Sequence, residues 1–241
     1  MNYKVTIAYD GTDYYGWQIQ LGKPTIQELI SRALAVIEGA PVTLHGAGRT
    51  DSGVHAEGQV GSFKLSKEWN PLVLRRALNG NLPPDIRVLE AETVGEDFHA
   101  RASALRKTYR YQIYHAEVML PPLVRFAQHY AYALDYERMV ADAAALVGTH
   151  DFQAFTVSDI ETKTTVRTLL DIHIRRDGSL WQLFFTGDGF LRYQVRTMVA
   201  ALIEANREQP GTVRELIASR DRRRIGRAAP AKGLTLMTVE Y

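Results

Sequence analysis

From Tyr3 to Tyr9 the chain alternates, with Val5, Ile7 and Tyr9 on one face and Lys4, Thr6 and Ala8 on the other. That is the period of a half-buried strand. Asp10-Gly11 ends it, and an aromatic loop with Tyr14, Tyr15 and Trp17 follows. The period then changes: Ile26, Leu29, Ile30, Ala33, Leu34 and Ile37 recur at helical spacing, Thr25 and Glu28 read as a capping box, and Gly39 stops the helix. Val42 and Leu44, then Val60 and Phe63, flank a glycine-rich stretch, which predicts strand, tight loop and strand, the second ending near Leu65. A helix over about Pro71–Leu78, Asn-Gly and Pro-Pro punctuation, and a strand from Ile86 to about Val94 close the first half.

A second half opens at Arg106. Tyr109, Tyr111 and Ile113 share one strand face, and Arg110, Gln112 and Tyr114 the other. Phe126–Ala133 reads as a strand, and Asp135 caps a helix through Val147 with Met139, Val140, Ala143 and Val147 inward and Gly148 after it. Leu170, Ile172 and Ile174 alternate with Asp171, His173 and Arg175, Asp177-Gly178 makes a hairpin turn, and Trp181–Phe185 returns. A helix from about Phe190 buries Val195, Met198, Val199, Leu202 and Ile203; Thr212 and Glu215 form a second capping box; Leu234–Tyr241 is a last strand. Strands and helices thus recur in two halves of similar make-up, 1–105 and 106–241, and the hairpins favour antiparallel pairing, hence an α+β fold with helices flanking the sheet.

Composition narrows the chemistry. With 46% apolar and 23% charged residues, 241 residues can bury a substantial core. The chain has no cysteine, which removes disulfides, thiolate metal sites and a thiol nucleophile, and its seven histidines are scattered with no HExxH. Chemistry without a metal or cofactor is expected. No apolar run approaches the roughly 18 residues of a membrane span, and the N-terminus enters a strand without a signal-peptide pattern, so a cytoplasmic location is expected. Net charge is only +2, but cations cluster: Arg101, Arg106, Lys107 and Arg110 with no acid among them, and six from Arg220 to Lys232 against Asp221 alone. Such clusters fit phosphate contacts or a solvated face equally well.

The candidate chemistry lies in Ala47–Gly58, AGRTDSGVHAEG, which sets Asp51 between Arg49 and His55 in a frame of glycines at 48, 53 and 58. Asp-Ser-Gly is ordinary turn composition, and spacing alone favours a structural turn. No phosphate-binding fingerprint competes: Asp51 stands where the third glycine of G-x-G-x-x-G belongs, and no G-x-x-x-x-G-K-[ST] occurs. By periodicity alone, Tyr109 is a core aromatic and Arg196 a solvated helix-surface cation.

The motifs nevertheless resemble one family over nearly the whole chain, the TruA-type tRNA pseudouridine synthases. The blocks are YDGTDYYGWQIQ (9–20), AGRTDSGVHAEGQV (47–60), NLPPDI (81–86), DFHAR (97–101), KTYRY (107–111), DFQAF (151–155), GFLRYQVR (189–196) and KGLTLMTVEY (232–241). The Arg-Thr-Asp-x-Gly-Val-His core is the most specific. The resemblance implies isomerisation of uridines at positions 38, 39 and 40 of the tRNA anticodon stem-loop to pseudouridine. It implies two RRM-like or ferredoxin-like α/β halves sharing a mixed, mostly antiparallel sheet, the pseudouridine synthase fold, with the Asp loop on the first half and an RNA cleft completed by the second. A homodimer and no cofactor are implied too.

By matching position the resemblance makes Asp51 the catalytic aspartate, Arg49 the side chain that enters the RNA in place of the displaced base, Tyr109 the ring over the uracil and Arg196 the partner of Asp51. Phe190 and Thr50 join the substrate side, Thr50 and His55 shaping the loop, while Arg101, Lys107 and Arg110, together with Arg222 to Arg224, would hold the RNA backbone. The chemistry suits these residue types. The reaction breaks N1–C1′ and forms C5–C1′ without redox; a carboxylate can attack C1′ or add to C6, and a guanidinium keeps it ionised. A non-catalytic RNA-binding module would have no use for a lone acid facing phosphates. A glycoside or nucleoside hydrolase would want a second carboxylate roughly 5–9 Å away, for which Glu57 has no motif support.

Overall fold

The computed structural model describes residues 1–157, 163–207 and 212–241. In chain order the regular elements are β1 (Asn2–Tyr9), α1 (Ile26–Glu38), β2 (His45–Gly46), β3 (His55–Lys64), α2 (Pro71–Gly80), β4 (Ile86–Val94), β5 (Arg106–His115), β6 (Gln128–Tyr130), α3 (Tyr136–Ala144), β7 (Gly148–Asp151), β8 (Val166–Asp177), β9 (Leu180–Gly187), α4 (Gln194–Ala205), α5 (Thr212–Ser219) and β10 (Leu234–Glu240). The chain forms two compact units, Met1–Leu105 with Thr235–Tyr241, and Arg106–Leu234, so the last strand returns to the first unit. Helices and mostly antiparallel strands make this the α+β class the periodicity predicts. Among the described residues no helix is long and apolar enough to cross a membrane.

In the first unit the strand order is β4-β1-β3-β10. β1 is antiparallel to both neighbours, and β3 runs parallel to β10 with Thr235 opposite His55. The alternation of β1 is realised: Tyr3, Val5, Ile7 and Tyr9 are buried, and Tyr3 stacks on Phe63 at 5.9 Å. Ile26, Ile30 and Leu34 of α1 and Leu74 and Leu78 of α2 complete this core, each worth roughly 1.5–3 kcal/mol of transfer free energy. In the second unit β5 pairs antiparallel with β9 and parallel with the short β6, and β9-β8-β7 continues antiparallel. Tyr109, Tyr111 and Ile113 are all buried there.

Several predicted boundaries move for identifiable reasons. Thr25 makes no capping hydrogen bond; the first N–H groups of α1 are taken by loop carbonyls instead, Ile26 N by Gly16 O at 3.2 Å and Gln27 N by Trp17 O at 3.0 Å. Glu28 binds Arg32 at 2.6 Å rather than closing a box. The strand before the central loop shrinks to His45–Gly46, and the strand predicted over 126–133 to Gln128–Tyr130. α3 ends at Ala144, leaving Val147 outside it and Val140 37% exposed. A register shift between Leu169 and Asp171 turns Leu170 outward, and the hairpin pairs Asp177 with Leu180, so Gly178-Ser179 form the turn. α4 begins at Gln194 because Tyr193 adopts φ +64, a left-handed conformation that interrupts any helix from Phe190. The capping side chain read at Thr212 lies outside the described residues.

The cap of α3 does form, with the Asp135 carboxylate accepting from Arg138 N at 3.1 Å. Asp135→Ala is expected to cost about 1 kcal/mol, read as a lower urea midpoint at unchanged slope.

Candidate active site

The stretch carrying Asp51 leaves β2 at Gly46 and re-enters the sheet at His55. Two backbone hydrogen bonds shape it: Ala47 N donates to Val60 O at 2.8 Å, and Val54 N to Asp51 O at 3.1 Å. The latter is a tight turn in which Gly53 takes φ +76, as a glycine readily can. Arg49 is exposed, Thr50 buried and Asp51 half-buried. Of the three, only Thr50 is buried in the fold.

The aromatic loop after β1 holds this turn in place, a role that alternation did not reveal. Trp17 N donates to Thr50 O at 3.1 Å; Ser52 Oγ and Gly53 N donate to Tyr14 O at 3.1 and 3.4 Å. Gly16, at φ +84, lies so close that an added Cβ would fall 2.5 Å from Thr50 O. Gly46 lies against the Trp17 indole, where a Cβ would be 2.5 Å from Nε1. Beneath the loop, the Thr50 hydroxyl meets the Tyr9 hydroxyl at 2.8 Å, so the Thr50 side chain is engaged inside the fold. Burial pushes the Tyr9 phenol up to about 12, against the hydrogen bonds from Thr50 and Gln59. His55 is a buried strut: Gly11 N donates to its Nδ1 at 3.0 Å, with Asp10 Oδ1 3.1 Å from the same nitrogen. The sequence signal for these supports was a glycine held between aromatics, YYGW, immediately after a strand.

Arg101 is exposed on the turn after β4, where its backbone N–H and that of Ala102 donate to His99 Nδ1 at 3.1 and 3.3 Å. His99 lies 4.5 Å from His45, ring to ring. Desolvation first, then electrostatic repulsion from the neighbouring His99 and Arg101, lowers the pKa of His45.

The other candidates belong to the second unit. Tyr109 is buried on β5, opposite Phe185, and its ring meets Phe190 edge-on with centroids 5.1 Å apart. Lys107 and Arg110 are half-buried on the same strand. Arg196 sits in the first turn of α4, with Nε donating to Ala229 O at 2.8 Å and its guanidinium 5.0 Å from the centre of the Tyr193 ring. These two contacts fix the plane of the guanidinium, and Tyr193 owes its place under it to the left-handed backbone. In the 222–224 run, Arg222 binds the carbonyls of Ile225 and Gly226, and Arg223 grips Asp221 with Nη2 at 2.9 Å. Those bonds hold the Asp221 carboxyl well below its usual range. In that run the Arg223 charge is paired with Asp221, while Arg222 keeps its charge and gives its N–H groups to carbonyls. Among the described residues no cluster of three or more His, Asp or Glu side chains forms a metal site.

A sequence profile of the family described as tRNA pseudouridine synthase matches residues 5–101 and 143–241. Three proteins named tRNA pseudouridine synthase A are similar to the chain from end to end. That of Geotalea uraniireducens is 44% identical over 241 residues, covering 99% of this chain and 98% of its own. That of Limosilactobacillus reuteri is 42% identical over 246 residues, with 99% and 96% covered. That of Acetivibrio thermocellus is 42% identical over 242 residues, with 100% and 99% covered.

Proposed function

The chain belongs to the tRNA pseudouridine synthase family of isomerases, and on that premise we propose that it converts uridines 38, 39 and 40 of the tRNA anticodon stem-loop to pseudouridine with Asp51 as nucleophile. The observation that carries this reading is the construction of the Asp51 turn. A half-buried carboxylate and an exposed arginine flank Thr50, whose hydroxyl is held in a buried hydrogen bond to Tyr9, and Gly48, Ser52 and Gly53 on either side are hydrogen-bonded to the fold. A turn that served only to reverse the chain would need no such support.

In the proposed mechanism the target nucleotide leaves its stack, at a cost of a few kcal/mol, and Arg49 occupies the vacated space. The Asp51 carboxylate attacks at C1′ or C6, the N1–C1′ bond breaks and the uracil turns; C5 bonds to C1′, the bond to Asp51 breaks to regenerate the carboxylate, the C5 proton is lost and N1 takes up a proton. The fixed guanidinium of Arg196 is the cation assigned to keep Asp51 ionised. Tyr109, its ring braced by Phe190, lies over the uracil with its hydroxyl available for the C5 proton. Arg101, Lys107 and Arg110 contact the RNA backbone, whose shape rather than sequence is read, as suits one enzyme acting at three neighbouring positions. The working form in this proposal is a homodimer without cofactor.

Tritium release from C5-labelled uridine in tRNA transcripts tests the activity and the positions together. Release should fall as each of positions 38, 39 and 40 is changed to cytidine and vanish when all three are changed; undiminished release from the triple variant would refute the assignment. In the same assay Tyr109→Phe keeps the ring and removes the hydroxyl, and a loss of about 100-fold in kcat is expected. An undiminished rate would leave the hydroxyl without a chemical role.

A further inference from the structure

We propose that Tyr9 is a positioning residue for this reaction: its buried hydroxyl, through Thr50, sets the direction in which Asp51 is presented. The inference rests on the reading of Asp51 as nucleophile. Tyr9 ends β1, is 4% exposed, and packs its ring against Trp17 with centroids 6.3 Å apart. The hydroxyl of so buried a tyrosine needs a polar partner, and it finds Thr50 Oγ1 at 2.8 Å rather than a carbonyl of its own sheet.

Gln59, fully buried, donates from Nε2 to Gly48 O at 3.0 Å and accepts from Val60 N at 3.1 Å. The two residues on either side of Arg49 are thus each anchored to a strand side chain, Gly48 to Gln59 and Thr50 to Tyr9. The Thr50 carbonyl is held separately by Trp17 N. With both the side chain and the carbonyl of Thr50 fixed, rotation of the peptide leading into Asp51 is restrained from within the sheet. Burial keeps the phenol neutral at physiological pH, so it contributes direction rather than charge. Reacting groups must be held to within about 0.5 Å, and a displacement of about 1 Å can lower a rate roughly 100-fold. A single hydroxyl outside the reacting shell therefore matters more to turnover than to folding.

The test compares Tyr9→Phe, Thr50→Val, Thr50→Ser, the Tyr9→Phe/Thr50→Val double variant and Asp51→Ala by tritium release on a full-length tRNA transcript, with tRNA affinity and thermal midpoint recorded for each. Tyr9→Phe should lower kcat roughly tenfold or more while KM stays within about twofold. Thr50→Ser, which keeps the hydroxyl, should exceed Thr50→Val by roughly tenfold, and the double variant should be no worse than the poorer single one. A kcat for Tyr9→Phe within about twofold of wild type would overturn the inference, as would losses that multiply in the double variant. Should Tyr9→Phe fail to fold, the Thr50→Ser and Thr50→Val pair decides, equal rates for the two counting against the proposal. Asp51→Ala separates the two levels. An active Asp51→Ala refutes the nucleophile, whereas an inactive one beside a fully active Tyr9→Phe refutes only the role of Tyr9.

Discussion

Gly16→Ala is expected to lower the thermal midpoint by about 5–15 °C and to remove most pseudouridine formation, although residue 16 has no side chain and no part in the chemistry. Two effects add. The φ of +84 is unfavourable for any residue with a Cβ, by roughly 1–2 kcal/mol. The new methyl group would also meet the Thr50 carbonyl oxygen at 2.5 Å, and overpacking of this kind costs roughly 1–3 kcal/mol. The atom pushed is backbone of the residue before Asp51, so whatever relaxation relieves the clash displaces the carboxylate. Gly22→Ala supplies the control: φ is similar at +73, but open space surrounds the site. That variant should lose only the backbone term of roughly 1–2 kcal/mol and keep wild-type turnover. Differential scanning calorimetry with the tritium-release assay reads both. Equal behaviour of the two variants would mean that contact between the aromatic loop and the Asp51 turn is not what shapes the site.

The same contact explains what could and could not be read from the sequence. Elements defined by their own periodicity were legible: β1, α1, β4, β5 and β10 lie within a residue or two of where alternation and helical spacing put them. The Asp51 loop was legible because glycines and a single acid stand out between apolar strands. What alternation cannot supply is the partner of a polar group across the fold. It places Tyr9 on an inward face without naming Thr50 as the acceptor or donor it meets. It offers Thr25 as a helix cap, where the carbonyls of Gly16 and Trp17 already satisfy the N–H groups in question. It also runs α4 back to Phe190, because no propensity rule makes a tyrosine adopt the left-handed conformation that delays the helix to Gln194. Likewise a count of six cations against Asp221 does not show that Arg223 grips that carboxylate, nor that Arg222 turns to the carbonyls of Ile225 and Gly226. The roles proposed for Asp51, Tyr109 and Arg196 come from the family motifs, since their own periodicity reads as turn, core and surface.

The second large effect is at Asp51, the proposed nucleophile. Asp51→Ala should leave the fold intact, because the turn is held by the backbone of Asp51 and by its neighbours: Val54 N bonds the Asp51 carbonyl, Trp17 N the Thr50 carbonyl, and Ser52 the Tyr14 carbonyl. It should also leave tRNA affinity close to wild type, since the proposed phosphate contacts come from cations elsewhere. Without a carboxylate no covalent step is available, and no other acid on this turn can substitute; the rate should fall by at least about 1,000-fold. Retained binding with lost turnover is also what separates an enzyme built around this residue from a protein that only holds RNA.

The decisive measurement is single-turnover tritium release with saturating Asp51→Ala enzyme, run beside tRNA binding by the same preparation. Binding within about twofold of wild type, with no release above background, is the predicted result. Release within about tenfold of the wild-type rate would contradict the account, because the carboxylate at its centre would then be dispensable.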